Sequence, residues 1–362
     1  MRPRERVLAI LDREPVDRIP VDLWHTPEIV DMLIQATGAS DDFEMWHRLN
    51  LDKIVWVFMD YRSEADETAG SQVGALATGE LTMWGAVLRD VEAGEARYQE
   101  TTTPPLQGLT SLSELDDYAY WPDPDRFDYA AAVALAQKAR EHDFAVIGPW
   151  VSCFEIYSQL RGIEQSLMDL ALDPALVEAT LDRIETIQTE MMHRFLSEAA
   201  DLVDLVFISD DIGGQNGLLM SPQMWRRHLK PRLTRWCDLI HSYGVKVFYH
   251  TDGGVGPVIP ELIEAGIDVL NPIQHACPGM ELEQLAEKYG DQIIFHGGVD
   301  NQQVLPFGNV EDVRAETLRC LETLGAGREG YICCSCHNVQ PGTPLANVMT
   351  MIETVQNWEG GR

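Results

Sequence analysis

Positive charge is scarce in this sequence: 27 Lys and Arg stand against 58 Asp and Glu, a formal net charge of −31 over 362 residues. A field of that sign repels nucleic acid and anionic membrane surfaces. It also disfavours a polyanionic substrate unless a local basic pocket outweighs it. Long apolar runs are missing too: none approaches the ~18 residues a membrane span requires. Met1-Arg2-Pro3-Arg4-Glu5-Arg6 leads into a helix, with no secretory apolar region behind it. Cysteine is sparse, seven residues at irregular spacing, and an odd, irregular set is no disulfide framework. These shortages predict a cytoplasmic protein with reduced thiols and a small-molecule substrate, without a nucleic-acid or membrane partner. They leave a homodimer open.

What is present is ordinary globular material, 45% hydrophobic and 23% charged, long enough for a large core. Strand-like apolar runs recur, with amphipathic helical stretches between them, and each ends in polar residue types. Arg18–Trp24 ends at His25, Lys53–Met59 at Asp60, and Phe144–Gly148 leads to Trp150 and Glu155. Leu202–Ile208 ends at Asp210 and Asp211, and Val245–Tyr249 at His250 and Asp252. Val269–Ile273 ends at Gln274 and His275, Gln292–Phe295 at His296, and Tyr331–Cys334 runs on to His337. Near-continuous apolar strands alternating with helices are parallel strands buried on both faces. Eight such units predict an α/β fold, a (β/α)8 TIM barrel forming a single domain over residues 1–362, with the active site at the C-terminal strand ends. Residues 61–125 break the period. Leu81–Gly85 and Arg97–Thr101 read there as a β-hairpin inserted after the second strand, with its turn at Glu92-Ala93-Gly94-Glu95. Ser221-Pro222 and Asn309 read as helix starts, and Gly244 as a helix stop.

Residues two apart in a strand point the same way, about 6.6 Å apart, so His250 and Asp252 share a face. They can converge on one metal or substrate, with His337 arriving from another strand end. A His bonded to a carboxylate as rim structure is the plainer alternative. Asp210 and Asp211 adjoin, so one faces the pocket and the other caps a turn or a nearby helix. Trp24, His25, Trp150, Glu155, Gln215 and His296 are candidate pocket lining, although core packing accounts for the tryptophans equally well. Strand parity turns Cys334 and Cys336 away from the face shared by Cys333 and His337, and the cysteines read as buried small apolar residues.

Several motifs resemble the uroporphyrinogen decarboxylase superfamily: Asp210-Asp211-Ile212-Gly213-Gly214-Gln215-Asn216-Gly217, Met220-Ser221-Pro222 and the His250 strand. Phe295-His296-Gly297-Gly298-Val299-Asp300 and Ser335-Cys336-His337-Asn338-Val339-Gln340-Pro341 resemble it as well. The likeness runs from Arg4-Glu5-Arg6-Val7-Leu8 to the C-terminal helix. It implies one of two activities. One branch decarboxylates uroporphyrinogen without metal or cofactor; the other moves a methyl group between a corrinoid protein and a thiol or folate. Thiol-using members of the second branch bind zinc through a His-x-Cys pair and a later Cys. Those positions fall here on His250-Thr251-Asp252 and His337. The resemblance to this branch is closer, and it implies a divalent metal, Zn²⁺ first, on His250, Asp252 and His337. It also implies a cobalamin-bearing (corrinoid) partner on a separate protein, and Asp211 as the residue that orients substrate. A folate acceptor would not need the metal, and Asp252 could then hydrogen-bond or protonate the pterin. The decarboxylase branch needs Arg residues after the first strand to hold its substrate's carboxylates. Trp24-His25-Thr26-Pro27-Glu28-Ile29 has none, while Asp60 falls near that branch's essential Asp. A carboxy-lyase and a non-catalytic tetrapyrrole- or corrinoid-binding barrel are the alternatives.

Overall fold

The structure, a computed structural model, describes residues 1–62, 69–70, 81–93, 96–325, 327 and 329–360. Seven parallel strands form one curled sheet, in which neighbours in space are also neighbours in chain order. They are β1 Ile54–Trp56, β2 Ala145–Val151, β3 Leu205–Ser209, β4 Lys246–His250, β5 Val269–Asn271, β6 Ile294–Val299 and β7 Tyr331–Ser335. Their Val, Ile, Leu and Phe side chains are buried, because a barrel strand faces packed side chains inside and helices outside. Helices such as Pro174–Ala199 and Lys230–Ser242 fill the crossovers on either side of β3. The molecule is a (β/α)8 TIM barrel.

The eighth strand position differs from expectation. Of Arg18–Trp24, only Val21 forms a bridge, to Cys333 of β7. Asp22 N–H donates to the Cys333 carbonyl and Cys333 N–H to the Pro20 carbonyl, while the Val21 carbonyl accepts Asp52 N–H. The next acceptors are carboxylates rather than carbonyls. Asp52 Oδ2 takes Val21 N–H at 2.9 Å, and Asp22 Oδ1 takes Ile54 N–H at 3.2 Å. Side-chain oxygens have displaced the backbone ladder, so the barrel closes through two fully buried acids instead of a regular strand. Each acid has cations beside it: Lys53 at 2.9 Å from Asp22, Arg18 at 2.5 Å from Asp52, and Arg6 also on Asp52. Burial pushes the Asp22 carboxyl up, but Lys53 and His296 outweigh it and hold it below the usual carboxylate range.

Two other strands shift. β1 is shorter than Lys53–Met59, and β2 runs on to Val151, past an irregularity between Ile147 and Trp150. Pro149 falls in that gap and has no N–H to give the ladder. Between β1 and β2, Val87–Ala93 pairs antiparallel with Ala96–Thr103. The first arm lies beyond Leu81–Gly85, because Gly85 turns the chain at φ 78° and, among the described residues, Leu81 makes one isolated bridge, to Val87. Gly94 and Glu95 of the expected turn lie outside the described residues, as do 63–68 and 71–80. Ser221 Oγ accepts Met224 N–H at 3.2 Å, and Asn309 Oδ1 accepts two N–H groups of its helix. Both caps stand where the sequence placed them.

Candidate active site

Register brings polar side chains to one level of the barrel interior. His250, the last residue of β4, is paired with Ser209 of β3 and Asn271 of β5. Asn271 Oδ1 lies 2.6 Å from His250 Nδ1, and its Nδ2 lies 2.8 Å from His296 Nδ1. An amide oxygen only accepts and an amide nitrogen only donates. His250 therefore carries a proton on Nδ1, and Nε2 is the nitrogen it turns to the site. His296 accepts at Nδ1 and donates Nε2–H to Asp22 Oδ2, 3.2 Å away. The opposite amide orientation would set an unprotonated His296 Nε2 against a carboxylate, so Asp22 decides the assignment. Lys53 completes a buried chain of contacts that runs His250–Asn271–His296–Asp22–Lys53.

Above that chain, ligand-type atoms of His250, Asp252 and His337 all lie within 4.8 Å of one another. Asp252 Oδ1 stands 3.9 Å from His250 Nε2; it is buried and has no hydrogen-bond partner among the described residues. Asp211 Oδ1 accepts Asp252 N–H at 2.8 Å and approaches His250 Nε2 to 4.0 Å. Glycines set this spacing. A Cβ on Gly213 would meet the Asp252 carbonyl at 2.3 Å, and one on Gly253 (φ 83°) would meet Gly214 N at 2.6 Å. The loops after β3 and β4 thus interlock backbone to backbone. His337 enters because β7 ends at Ser335, whose hydroxyl donates to the His337 carbonyl at 2.7 Å and turns the chain inward.

Glu155 accepts the Ser209 hydroxyl and joins the group from the helix Phe154–Arg161. Its carboxyl is pushed well up by burial and by Asp211. Asp211 is raised by burial against the pull of His250, and burial lowers His337 in spite of Asp252. No Lys or Arg pairs with Glu155, Asp211 or Asp252 among the described residues. The imidazole nitrogens of His250 and His337 and the unpartnered Asp252 oxygen form a donor set that a divalent cation fits, with N and O ligands and no sulfur.

The other expected residues separate. Trp24, 3% exposed, is the floor, its ring 5.5 Å from His250 and from His296 and packed on Trp56 at 4.8 Å. Trp150, in register with Phe207, is buried. His296 is wholly buried beneath the cluster, so it holds the relay and does not line an open pocket. Asp210 caps a helix: it accepts Ser152 Oγ at 2.8 Å and the N–H groups of Phe154 and Glu155, and burial raises it to about 7. Gln215 lies in a narrow groove with Gln274 and Cys277. Asp60 stands beyond β1, its carbonyl on Asp128 N–H, and its carboxylate makes no hydrogen bond among the described residues. Cys334 is a correction: it lies beside Asp22 and His296, inside the barrel. Parity misplaced it because the strand ends before His337, so His337 does not follow the alternation. The sequence reading passed over Asn271, Ser209 and the Asp22–Lys53 pair, although Asn271 sits at a strand end just before a proline.

His25 points out of the barrel, 6.4 Å from Trp46, with Nε2 buried and unpartnered among the described residues. Burial, helped by Lys53, pushes it down to about 4. The unfolded chain protonates this imidazole near its ordinary ~6.5, so the unfolded state binds the extra proton first. Stability is full above ~6.5 and falls as pH drops towards 4, by about 3 kcal/mol for the whole shift. His25→Phe is expected to flatten the urea midpoint against pH across that window. An unchanged slope would remove His25 as its source.

A family model described as Uroporphyrinogen decarboxylase (URO-D) matches residues 81–358. The chain belongs to the URO-D family. Among relatives of this URO-D chain, the uroporphyrinogen decarboxylase of Thermus thermophilus is 31% identical over 180 residues. That alignment covers 49% of each, so the chain spans about half the length of this relative. The methylcobamide:CoM methyltransferase MtbA of Methanosarcina mazei is 21% identical over 365 residues, 98% of each chain. MtaA of Methanosarcina barkeri, with the same description, is 22% identical over 354 residues, 96% of each. A solved methyltransferase structure from Methanosarcina mazei superposes with a TM-score of 0.67 at 20% identity over 98% of each chain, a likeness of fold.

Proposed function

We propose that this URO-D family chain is a methyltransferase that moves a methyl group between a separate corrinoid protein and a thiol or folate acceptor. His250, Asp252 and His337 hold a divalent cation, Zn²⁺ first, and Asp211 orients the site. The observation that carries this reading is the buried, unpartnered Asp252 Oδ1 facing Nε2 of His250. The near full-length alignments with the two methylcobamide:CoM methyltransferases support it. A bound divalent ion would supply Lewis acidity, lowering the pKa of an incoming thiol so that it attacks as thiolate. The chain's own residues do the rest. Asn271 keeps the His250 proton on Nδ1, Asp211 holds the 252 backbone, and Glu155, its carboxyl pushed up by burial and by Asp211, lies where it can donate a hydrogen bond to the acceptor when it carries its proton. Trp24 closes the floor and keeps water from below.

Local identity to the Thermus decarboxylase favours porphyrinogen decarboxylation as the second reading. The convergence of Asp211 and Asp252 without a paired Lys or Arg among the described residues opposes it, because a polycarboxylate would find no cation to hold it there.

The test is the metal content of protein purified without chelator, read beside methyl transfer from methylcobalamin to a small thiol. Zinc in the wild type, of which His337→Ala loses the equivalent at the His250 site together with transfer, is the expected result. Metal-free protein that still methylates a folate would overturn the ligand assignment, and turnover of uroporphyrinogen would overturn the methyltransferase reading. Asn271→Leu, which removes the group that fixes His250, is expected to weaken metal binding about 10- to 100-fold, the usual effect of losing an outer partner of a ligand. Competition with a chelator measures it, and unchanged affinity would mean that Asn271 does not orient His250.

A further inference from the structure

A second group of metal-ligand side chains lies outside the barrel interior and shares no residue with the first. His275 follows β5, while Glu316 and Cys320 stand four apart on the helix Val310–Cys320 and so share one face. His275 Nε2 is 2.5 Å from Glu316 Oε1, and both side chains are 10% exposed. Ligand atoms of the three residues all lie within 4.8 Å of one another. Cys320 is fully buried, and its thiol makes no hydrogen bond among the described residues. A narrow groove lined by Gln215, Cys277, Asp300 and Cys336 reaches His275, which gives an ion an entry path.

We propose that His275, Glu316 and Cys320 form a second, thiolate-containing site for a borderline-soft divalent cation of the Zn²⁺ type. One imidazole, one carboxylate and one sulfur suit Zn²⁺ or Co²⁺ and exclude Mg²⁺ and Ca²⁺, which take oxygen ligands. Ligands held at about 2.0–2.3 Å around a tetrahedral ion stand roughly 3.3–3.7 Å from one another. Loading therefore opens the His275–Glu316 contact by about 1 Å, within the reach of side-chain rotation. The Cys320 thiol gives up its proton to solvent as the Sγ–metal bond forms. The loaded site ties the turn after β5 to the helix preceding β7, two neighbouring units of the barrel wall.

Co²⁺ alone is the probe, added to the chelator-stripped 362-residue chain. A thiolate-to-Co²⁺ charge-transfer absorption is expected, because this site has sulfur and the His250 site has none; its loss in Cys320→Ser separates it from a band on Cys334, which lies beside Asp22 and His296. The band should persist in His250→Phe, disappear in Cys320→Ser, and need at least tenfold more Co²⁺ in His275→Gln. Co²⁺ binding without the band, or a band unchanged in both second-site variants, overturns the proposal. Should Cys320→Ser fail to fold, the His275→Gln titration alone decides. Loss of methyl transfer with the band intact would concern the first site only.

Discussion

His250→Phe should lose the metal equivalent held by His250, Asp252 and His337 and lower methyl transfer to a thiol by more than about 100-fold, beyond what losing an outer partner does, while the protein stays folded. Phenylalanine keeps a ring against Trp24, 5.5 Å away in the wild type, so the floor of the site remains packed. Both nitrogens are gone, however, and with them the lone pair that faces Asp252 and the donor that engages Asn271. Inductively coupled plasma analysis and methylcobalamin assays on the same preparation read the two losses together. Transfer at the wild-type rate would remove His250 from the mechanism altogether. Loss of metal with transfer to a folate intact would instead leave Asp252 as the acid or hydrogen-bond partner of that acceptor.

Asp22→Asn is expected to cost roughly 3–5 kcal/mol of stability, the usual penalty for leaving a buried charge without its partner. Asp22 is fully buried and accepts from Leu23 N–H, Trp24 Nε1, Ile54 N–H, Lys53 and His296. The amide keeps the shape but leaves Lys53, itself 5% exposed, as an uncompensated cation. Urea midpoints measure the loss. Removing the stranded charge with Lys53→Met in the same chain should restore part of it, because replacing both partners of a buried pair is far less damaging than breaking it. A double variant no better than Asp22→Asn would place the cost in the lost hydrogen bonds instead.

The barrel was legible because its strands are short apolar runs at a regular period and its strand-end polar residues stand out against them. His250, Asp252 and His337 could be read from that contrast, and the structure brings their ligand atoms together. What escaped the sequence has a common physical origin: it depends on register between strands far apart in the chain. Asn271 matters because it is paired with His250, and nothing in Val269–Ile273 states that pairing. His25 and Trp24 are adjacent and equally aromatic, yet alternation sends one to the helix layer and the other to the barrel axis. Cys334 was misplaced because counting parity assumes a regular strand through to His337, and β7 stops at Ser335. The first strand was overread because a backbone ladder and a ladder of carboxylate acceptors leave the same apolar pattern in sequence.

Asp22 has two neighbours of different kinds: the backbone that shuts the barrel and the imidazole that fixes the proton on His250. Closing the cylinder and arming the site are therefore one event. A newly made chain emits Val21 early but must wait for Cys333, its bridge partner near the opposite end, before the seam can form. Until these two segments meet, the six strand pairings leave the sheet open along the edge that the Val21–Cys333 bridge closes. A substitution that loosens the seam at Asp22 is therefore also one that unsettles His250, through His296 and Asn271.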